Sequence, residues 1–269
     1  MSLLGSDAEN ALESREINPI CSECMTVAQK LPCWVEQIIH HGDHVYTVTL
    51  RPERPAPRFH PGQFLHLALD AYDPSEFWPE SRVFSIANSP LQRDRLRISY
   101  SVRGRFTERM EKELVEGGQV WVKLPYGEFM VDNTGDVVLF AGGTGITAFT
   151  AFLDGLTPGS RHPVYLAYGA RTRSLLIYRD LVQQRAQTVA TLHVSYFIEQ
   201  DTETRQAMKK TDEPENIGRL SVAAMWPKIQ RPREATYYIS GPPAMLQVIS
   251  QDLRSLGIGA EGIKIDAWE

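Results

Sequence analysis

The chain has 269 residues, 42% of them hydrophobic, with a net charge of −5 and a pI near 5.8. That length supports one or two domains, at about 150 residues each, and a sizeable core. The acidic balance and the lack of a basic stripe exclude an ordinary nucleic-acid binder. No apolar run approaches the roughly 20 residues of a membrane helix.

The first thirty residues are polar and acidic and carry no charged-then-apolar signal pattern, so a cytoplasmic protein is expected. Three cysteines cluster early: Cys21, Cys24 and Cys33. An odd count argues against a disulfide framework. Cys33 and His40 could complete a tetrahedral site with the Cys21-x-x-Cys24 pair, but no second CxxC exists, so no metal is assigned. A four-cysteine set suited to an iron–sulfur centre is also missing.

Residues 31–133 read as a β-domain. "CWVEQII" and "VYTVTLR" flank "HHGDH", a hairpin with a Gly-Asp turn. "QFLHLAL", "RVFSIAN", "LRISYSV" and "QVWVKL" follow, separated by Pro, Gly, Asp and Arg clusters. Two of these alternate as half-buried strands do. With one helix, "FTERMEKELV", the set predicts a small antiparallel barrel. Within it, "ESRVFSIANSP" poses a question: an arginine, an aromatic ring and a hydroxyl fall at Arg82, Phe84 and Ser85 of one strand.

Residues 134–269 have another texture. "VVLFA" is a continuous apolar run, as in a strand buried on both faces. The helices "ITAFTAFLDGL", "LLIYRDLVQQRA" and "PPAMLQVISQDLRSLG" alternate with "PVYLAYG", "TLHVSYFI", "ATYYIS" and "IKIDAW". Alternation of this kind predicts right-handed crossovers and a parallel sheet. Residues 1–30 are left as an N-terminal extension, and the two domains meet at Asp132-Asn133-Thr134-Gly135.

Two turns in this second domain suit a ligand. Gly142-Gly143-Thr144-Gly145 joins a buried strand to a helix, a geometry that brings backbone N–H groups and a helix N-terminus to a pyrophosphate. Gly143-x-Gly145-x-x-Ala148 fits the dinucleotide fingerprint, although "VYLAYGARTRS" offers arginines where an acidic residue is expected. Ser240-Gly241-Pro242-Pro243 puts a small hydroxyl at the carboxyl end of a strand, where open α/β sheets bind ligands.

Taken together, "RVFS", "GRFT", "LPYGEF", "AGGTGIT", "YGARTRSLLIYRDL" and "SGPPAM" occur in an order that resembles the ferredoxin–NADP reductase superfamily over residues 34–269. The resemblance implies FAD in the barrel and NADH or NADPH on the α/β domain. It implies that Arg82 pairs with the flavin pyrophosphate, that Val83 and Phe84 pack on the flavin, and that Ser85 sits near the atom accepting hydride. Phe84 stands where the family has tyrosine. Gly104, Arg105, Phe106 and Thr107 would face the pyrophosphate at a helix start, and Tyr126 would sit in a turn close to the flavin. Gly142, Gly143, Thr144, Gly145, Ile146 and Thr147 would hold the nucleotide, with Ser240, Gly241 and Pro242 beside the nicotinamide. Ser240 replaces a frequent cysteine, so the catalytic pair is read as Ser85 and Ser240. Arg171 and Arg173 would approach the adenosine side, and Trp268 would stack near the flavin or the bound nucleotide.

Glu199, with Asp201 beyond it, stands where NADPH users carry Ser-Arg, and a carboxylate repels a 2′-phosphate. NADH is therefore favoured, with Arg173 as the opposing signal. The implied function is hydride transfer from NADH through FAD to a separate acceptor, such as a ferredoxin, a flavodoxin or an oxygenase component. Three rivals are a flavin, quinone or ferric-iron reductase, a non-catalytic relay subunit of a larger redox complex, and a nucleotide-binding redox sensor that binds NADH without turnover.

Overall fold

The computed structural model describes residues 27–200 and 215–266. The barrel is built from β1 (Gln29–His40), β2 (Val45–Pro52), β3 (Phe64–Ala68), β4 (Ser81–Ser85), β5 (Leu96–Ser101) and β6 (Gln119–Tyr126). Their order is β4-β3-β6-β1-β2-β5, with every pairing antiparallel. The β1–β2 turn runs through Gly42, Asp43 and His44, all at positive φ. Leu31, Val48, Leu50, Leu65, Leu67 and Ile98 fill the interior.

Asn88 draws the two free edges together. Its Oδ1 accepts from the Arg97 N–H at 2.8 Å, and its amide donates to the carbonyls of Ser89, Gln92 and Arg95. Ala87 N–H adds a bond to the Arg97 carbonyl at 2.8 Å. The helix α1 (Arg105–Glu113) then plugs one end of the barrel with Phe106 and Met110.

The second sheet is parallel, in the order β10-β9-β8-β7-β11-β12. Its strands are β7 (Val137–Gly142), β8 (Val164–Ala170), β9 (Leu192–Ile198), β10 (Glu215–Ile217), β11 (Thr236–Ser240) and β12 (Ile263–Ile265). The continuous apolar character of β7 has a direct cause. Val137, Leu139 and Ala141 pack under α2 (Thr147–Gly155) and α3 (Arg179–Thr188), while Val138 and Phe140 pack under α4 (Val222–Met225) and α5 (Pro243–Ser255). Val45 and Ala87 of the barrel join the first of these cores, so apolar packing ties the two sheets together.

Two expectations need correction. β1 begins at Gln29, inside the segment read as an extension, because Gln29 and Lys30 pair with Leu124 and Lys123 of β6. The helix expected from Leu175 starts only at Arg179. Leu175, Leu176 and Tyr178 are all buried, in a 3-10 turn and an irregular step that precede the helix. The short β10 and α4 were not anticipated, since three or four residues carry no readable period.

Candidate active site

A cleft of about 500 Å³ lies where the barrel faces the α/β sheet. Its barrel wall is β4, β5 and the start of α1. Its opposite wall is the glycine-rich turn and the carboxyl ends of β11 and β12.

On the barrel wall, Arg82, Val83, Phe84 and Ser85 all line the cleft. β4 pairs with β3 on one side, and this fixes the strand's register. The Arg82 side chain is half exposed, donates to the Ser81 carbonyl at 2.9 Å and lies 3.7 Å from Glu80. Its guanidinium sits 5.4 Å from the centre of the Phe106 ring. Phe84 packs on the barrel core and tilts against Tyr100, with centroids 6.1 Å apart.

Gly104, Arg105, Phe106 and Thr107 also line the cleft. The Thr107 hydroxyl accepts from the N–H groups of Arg103 and Gly104, at 2.9 and 3.2 Å, and donates to the Gly104 carbonyl. It therefore shapes the helix start. The N–H groups of the first turn have no partner within the helix. Arg105 points outward to Glu80 at 3.2 Å, and the Phe106 ring is buried. Free helix N–H groups beside the Arg82 guanidinium suit an anion such as a pyrophosphate.

On the opposite wall, Thr144, Gly145, Thr147, Ser240 and Gly241 reach the cleft. Gly145 has a strict reason to be glycine: a Cβ there would lie 2.4 Å from the Ser240 carbonyl oxygen. Gly143 adopts φ +54°, which bends the chain from strand into a 3-10 turn. Thr147 donates to the Thr144 carbonyl at 2.8 Å and closes that turn. Gly142, Gly143, Ile146 and Pro242 do not line the cleft. Ile146 is wholly buried in the sheet core, and Pro242 caps α5. Ser240 is buried and donates to Asp266 Oδ2 at 2.9 Å.

Four expected residues stand apart from this constellation. Tyr126 stacks on Phe64, with centroids 5.9 Å apart, and meets His66 edge-on, so it supports a cleft residue without lining the cleft. Arg171 pairs with Asp43 of the barrel hairpin. Arg173 Nε lies 2.6 Å from Glu215, whose other oxygen is 2.9 Å from Arg179. Glu199 is partly exposed, 3.8 Å from Arg219. Asp201 and Trp268 lie outside the described residues.

Sequence reasoning missed Phe64, Ser99, Tyr100, Ser101, Arg103 and Asp266, which also line the cleft. β5 reads as an ordinary alternating strand, so nothing local marks its outward face. Asp266 reaches the cleft because β12 pairs with β11 and ends beside Ser240, a neighbour that only the sheet register supplies.

No metal centre involving Cys33 and His40 forms. They occupy opposite parts of β1, roughly 20 Å apart at strand spacing. Cys33 is buried, and burial pushes its thiol up to about 12, so it is inert. Cys21 and Cys24 lie outside the described residues, and no metal-binding cluster occurs among the described ones.

Residues 139–251 match the oxidoreductase NAD-binding domain family. The chain is 32% identical over 142 residues to the reductase component of phenol 2-monooxygenase from Pseudomonas sp. (strain CF600), covering 51% of this chain and 38% of that one. It thus matches well under half the length of that relative. It is 27% identical over 180 residues to an NAD(P)H-flavin reductase of Vibrio harveyi, covering 63% and 73% of the two chains. Its fold matches a ferredoxin NADP+ reductase from Neisseria gonorrhoeae, solved with bound FAD and NADP. That match has a TM-score of 0.67 and 17% identity and covers 89% of this chain and 98% of the other.

Proposed function

We propose that this chain, an oxidoreductase NAD-binding domain joined to a flavin-type barrel in a ferredoxin–NADP reductase-like fold, is an NAD(P)H-dependent flavoprotein reductase. It takes hydride from NADH, holds FAD, and passes electrons to a separate one-electron acceptor protein such as an oxygenase component. The observation that carries this reading is the cleft itself. An arginine-flanked helix start on one wall faces a glycine turn and a Ser–Asp pair on the other.

The flavin, when bound, supplies the ring atom that accepts the hydride. The chain's residues do the rest. Arg82 and the first turn of α1 would neutralise the cofactor's pyrophosphate. Phe84 and Ser85 would present an apolar surface and one hydrogen-bonding group to the flavin ring. Gly145, open on its cleft side and closed against β11, would let a nucleotide approach the backbone. Ser240, held by Asp266, would orient the nicotinamide. Asp266 joins Ser240 on this wall of the site. Domain limits of 31–133 and 134–269 fit this division of labour, with β1 reaching back to Gln29.

Glu199 supports NADH over NADPH, because a second negative charge beside it would be repelled. The engagement of Arg173 with Glu215 supports the same preference. A free, buried Cys33 fits a reducing, cytoplasmic setting. Among the described residues no helix is long and apolar enough to cross a membrane.

A second reading is a reductase whose flavin is a dissociable substrate. The similarity to the Vibrio harveyi enzyme favours it. Anaerobic titration decides between the readings. Purified protein is reconstituted with FAD, filtered, and titrated with NADH and then NADPH while the flavin band is followed. Retained flavin bleached by NADH supports the proposal. Flavin lost on filtration but reduced in excess supports the second reading. Retained flavin that neither nucleotide reduces points to a relay subunit.

A further inference from the structure

A hydride carries two electrons and one proton. If it enters the cleft from a nicotinamide, and both electrons leave singly to an acceptor protein, its proton is left behind. One proton per hydride must then leave the cleft. This inference rests on the function proposed above.

The barrel wall contains a path for it. Ser99 lines the cleft, on the outward face of β5. Its hydroxyl lies 2.7 Å from the Thr47 hydroxyl, the directly paired residue on β2. Thr47 Oγ1 lies 2.9 Å from His41 Nε2, at the end of the β1–β2 hairpin. Ser99 and Thr47 are buried, whereas His41 is part-exposed. Tyr178, from the other domain, places its hydroxyl 3.0 Å from Ser99 Oγ and seals the chain from above. An unbroken hydrogen-bonded line thus runs from the cleft to the hairpin surface. Each hydroxyl in it can both donate and accept.

We infer that Ser99, Thr47 and His41 form a proton exit from the cleft. A proton arriving at Ser99 Oγ makes a new O–H bond, and Ser99 releases its own hydroxyl proton to Thr47 Oγ1. Thr47 in turn releases its proton to His41 Nε2. The imidazolium so formed loses a proton to water, and no electron moves in any of these steps. The hydroxyls regain their starting state by rotating.

The chemistry of the end group agrees. Burial, and then the neighbouring His40, hold the His41 imidazole below its ordinary value, so the ring is neutral at neutral pH, and in its Nδ1–H tautomer Nε2 accepts from Thr47. Asp43 is paired with Arg171, and His44 with Glu111. On the far side of the chain, Arg97 acts on Tyr178, whose phenol burial pushes up and keeps protonated. Asp266, on the opposite wall, is hydrogen-bonded to Ser240.

The test uses the full chain carrying FAD, reduced anaerobically with NADH and re-oxidised by ferricyanide in a stopped-flow instrument across pH 6 to 9, in H₂O and D₂O. Thr47→Val keeps the volume but removes the relay oxygen, and Thr47→Ser restores it. Thr47→Val is expected to slow re-oxidation by roughly tenfold or more and to flatten its pH profile, as loss of a positioned acid–base group does. Thr47→Ser should keep the wild-type rate and profile. In the flavin-free protein, the ring-nitrogen NMR shift of His41 Nε2 should move in Thr47→Val and return in Thr47→Ser. Normal flavin content with an unchanged rate and profile in Thr47→Val would overturn the relay while leaving the reductase reading intact. A wild-type protein that takes up no flavin would overturn that reading and the relay with it.

Discussion

Ser240 and Asp266 meet across the carboxyl ends of β11 and β12, with the hydroxyl donating to Asp266 Oδ2 at 2.9 Å. The Ile239–Ile265 pairing one residue earlier sets this meeting. A serine alone is a mobile group, but a serine held by a carboxylate has one orientation. Asp266→Asn is therefore expected to lower the rate of flavin reduction by NADH by roughly tenfold, with flavin content unchanged. Stopped-flow absorbance under anaerobic conditions checks this. A wild-type rate would remove the pair from the nucleotide site.

Arg82 is half exposed and held only loosely by Glu80, at 3.7 Å. Arg82→Ala should cost little stability. It should weaken flavin binding by roughly one to two orders of magnitude, the size of one lost charge-assisted contact. Flavin released per mole of protein on denaturation is the readout. Undiminished content would sink the pyrophosphate assignment.

Glu199 already lies 3.8 Å from Arg219. Glu199→Arg would replace an opposed pair by two cations that a 2′-phosphate could bridge. The ratio of kcat/KM for NADPH over NADH should rise by roughly tenfold or more. An unchanged ratio would take Glu199 out of nucleotide choice.

Glu215 is the anchor of β10. Its carboxylate is 3% exposed and takes Arg173 at 2.6 Å and Arg179 at 2.9 Å. Glu215→Gln removes the buried carboxylate charge that both guanidinium groups share, at a cost of about 3 kcal/mol. Chemical denaturation should show an earlier midpoint with little change in slope. A variant as stable as the wild type would mean that the arginines find other partners.

His44 and Tyr46 both bond to Glu111 Oε1, each at 2.7 Å. The His44 and then the Tyr46 bond hold the Glu111 carboxyl below its usual range, and the Glu111 bond raises His44. A lowered carboxyl stabilises the fold above its unfolded value, and this is lost as pH falls through the folded one. A raised imidazole stabilises the fold fully below about 6.5, and this is lost as pH rises through its folded value. The pair thus contributes most in mildly acidic solution. His44→Asn suits the positive φ of that residue, +57°. Its Tm deficit should shrink as pH rises through the imidazole range. A deficit constant with pH would mean that His44 acts by shape alone.

Much of this protein was legible as local pattern. Alternation in "LRISYSV", the unbroken apolar run of "VVLFA", and the glycines before α2 each reflect which faces a segment must bury and how tightly its backbone must turn. Those demands act over a few residues, so they are written in consecutive ones. The motifs around Arg82, Thr107, Gly145 and Ser240 identified both walls of one cleft for the same reason. Tertiary structure alone decided the pairings between distant segments. It engaged Arg171 with the barrel hairpin, Arg173 with β10, and Ser240 with Asp266. It also turned Ser99 and Thr47, unremarked on ordinary strands, into a hydroxyl line beneath the cleft. A charge or hydroxyl takes its partner from sheet register and domain packing, and no short stretch of sequence contains either.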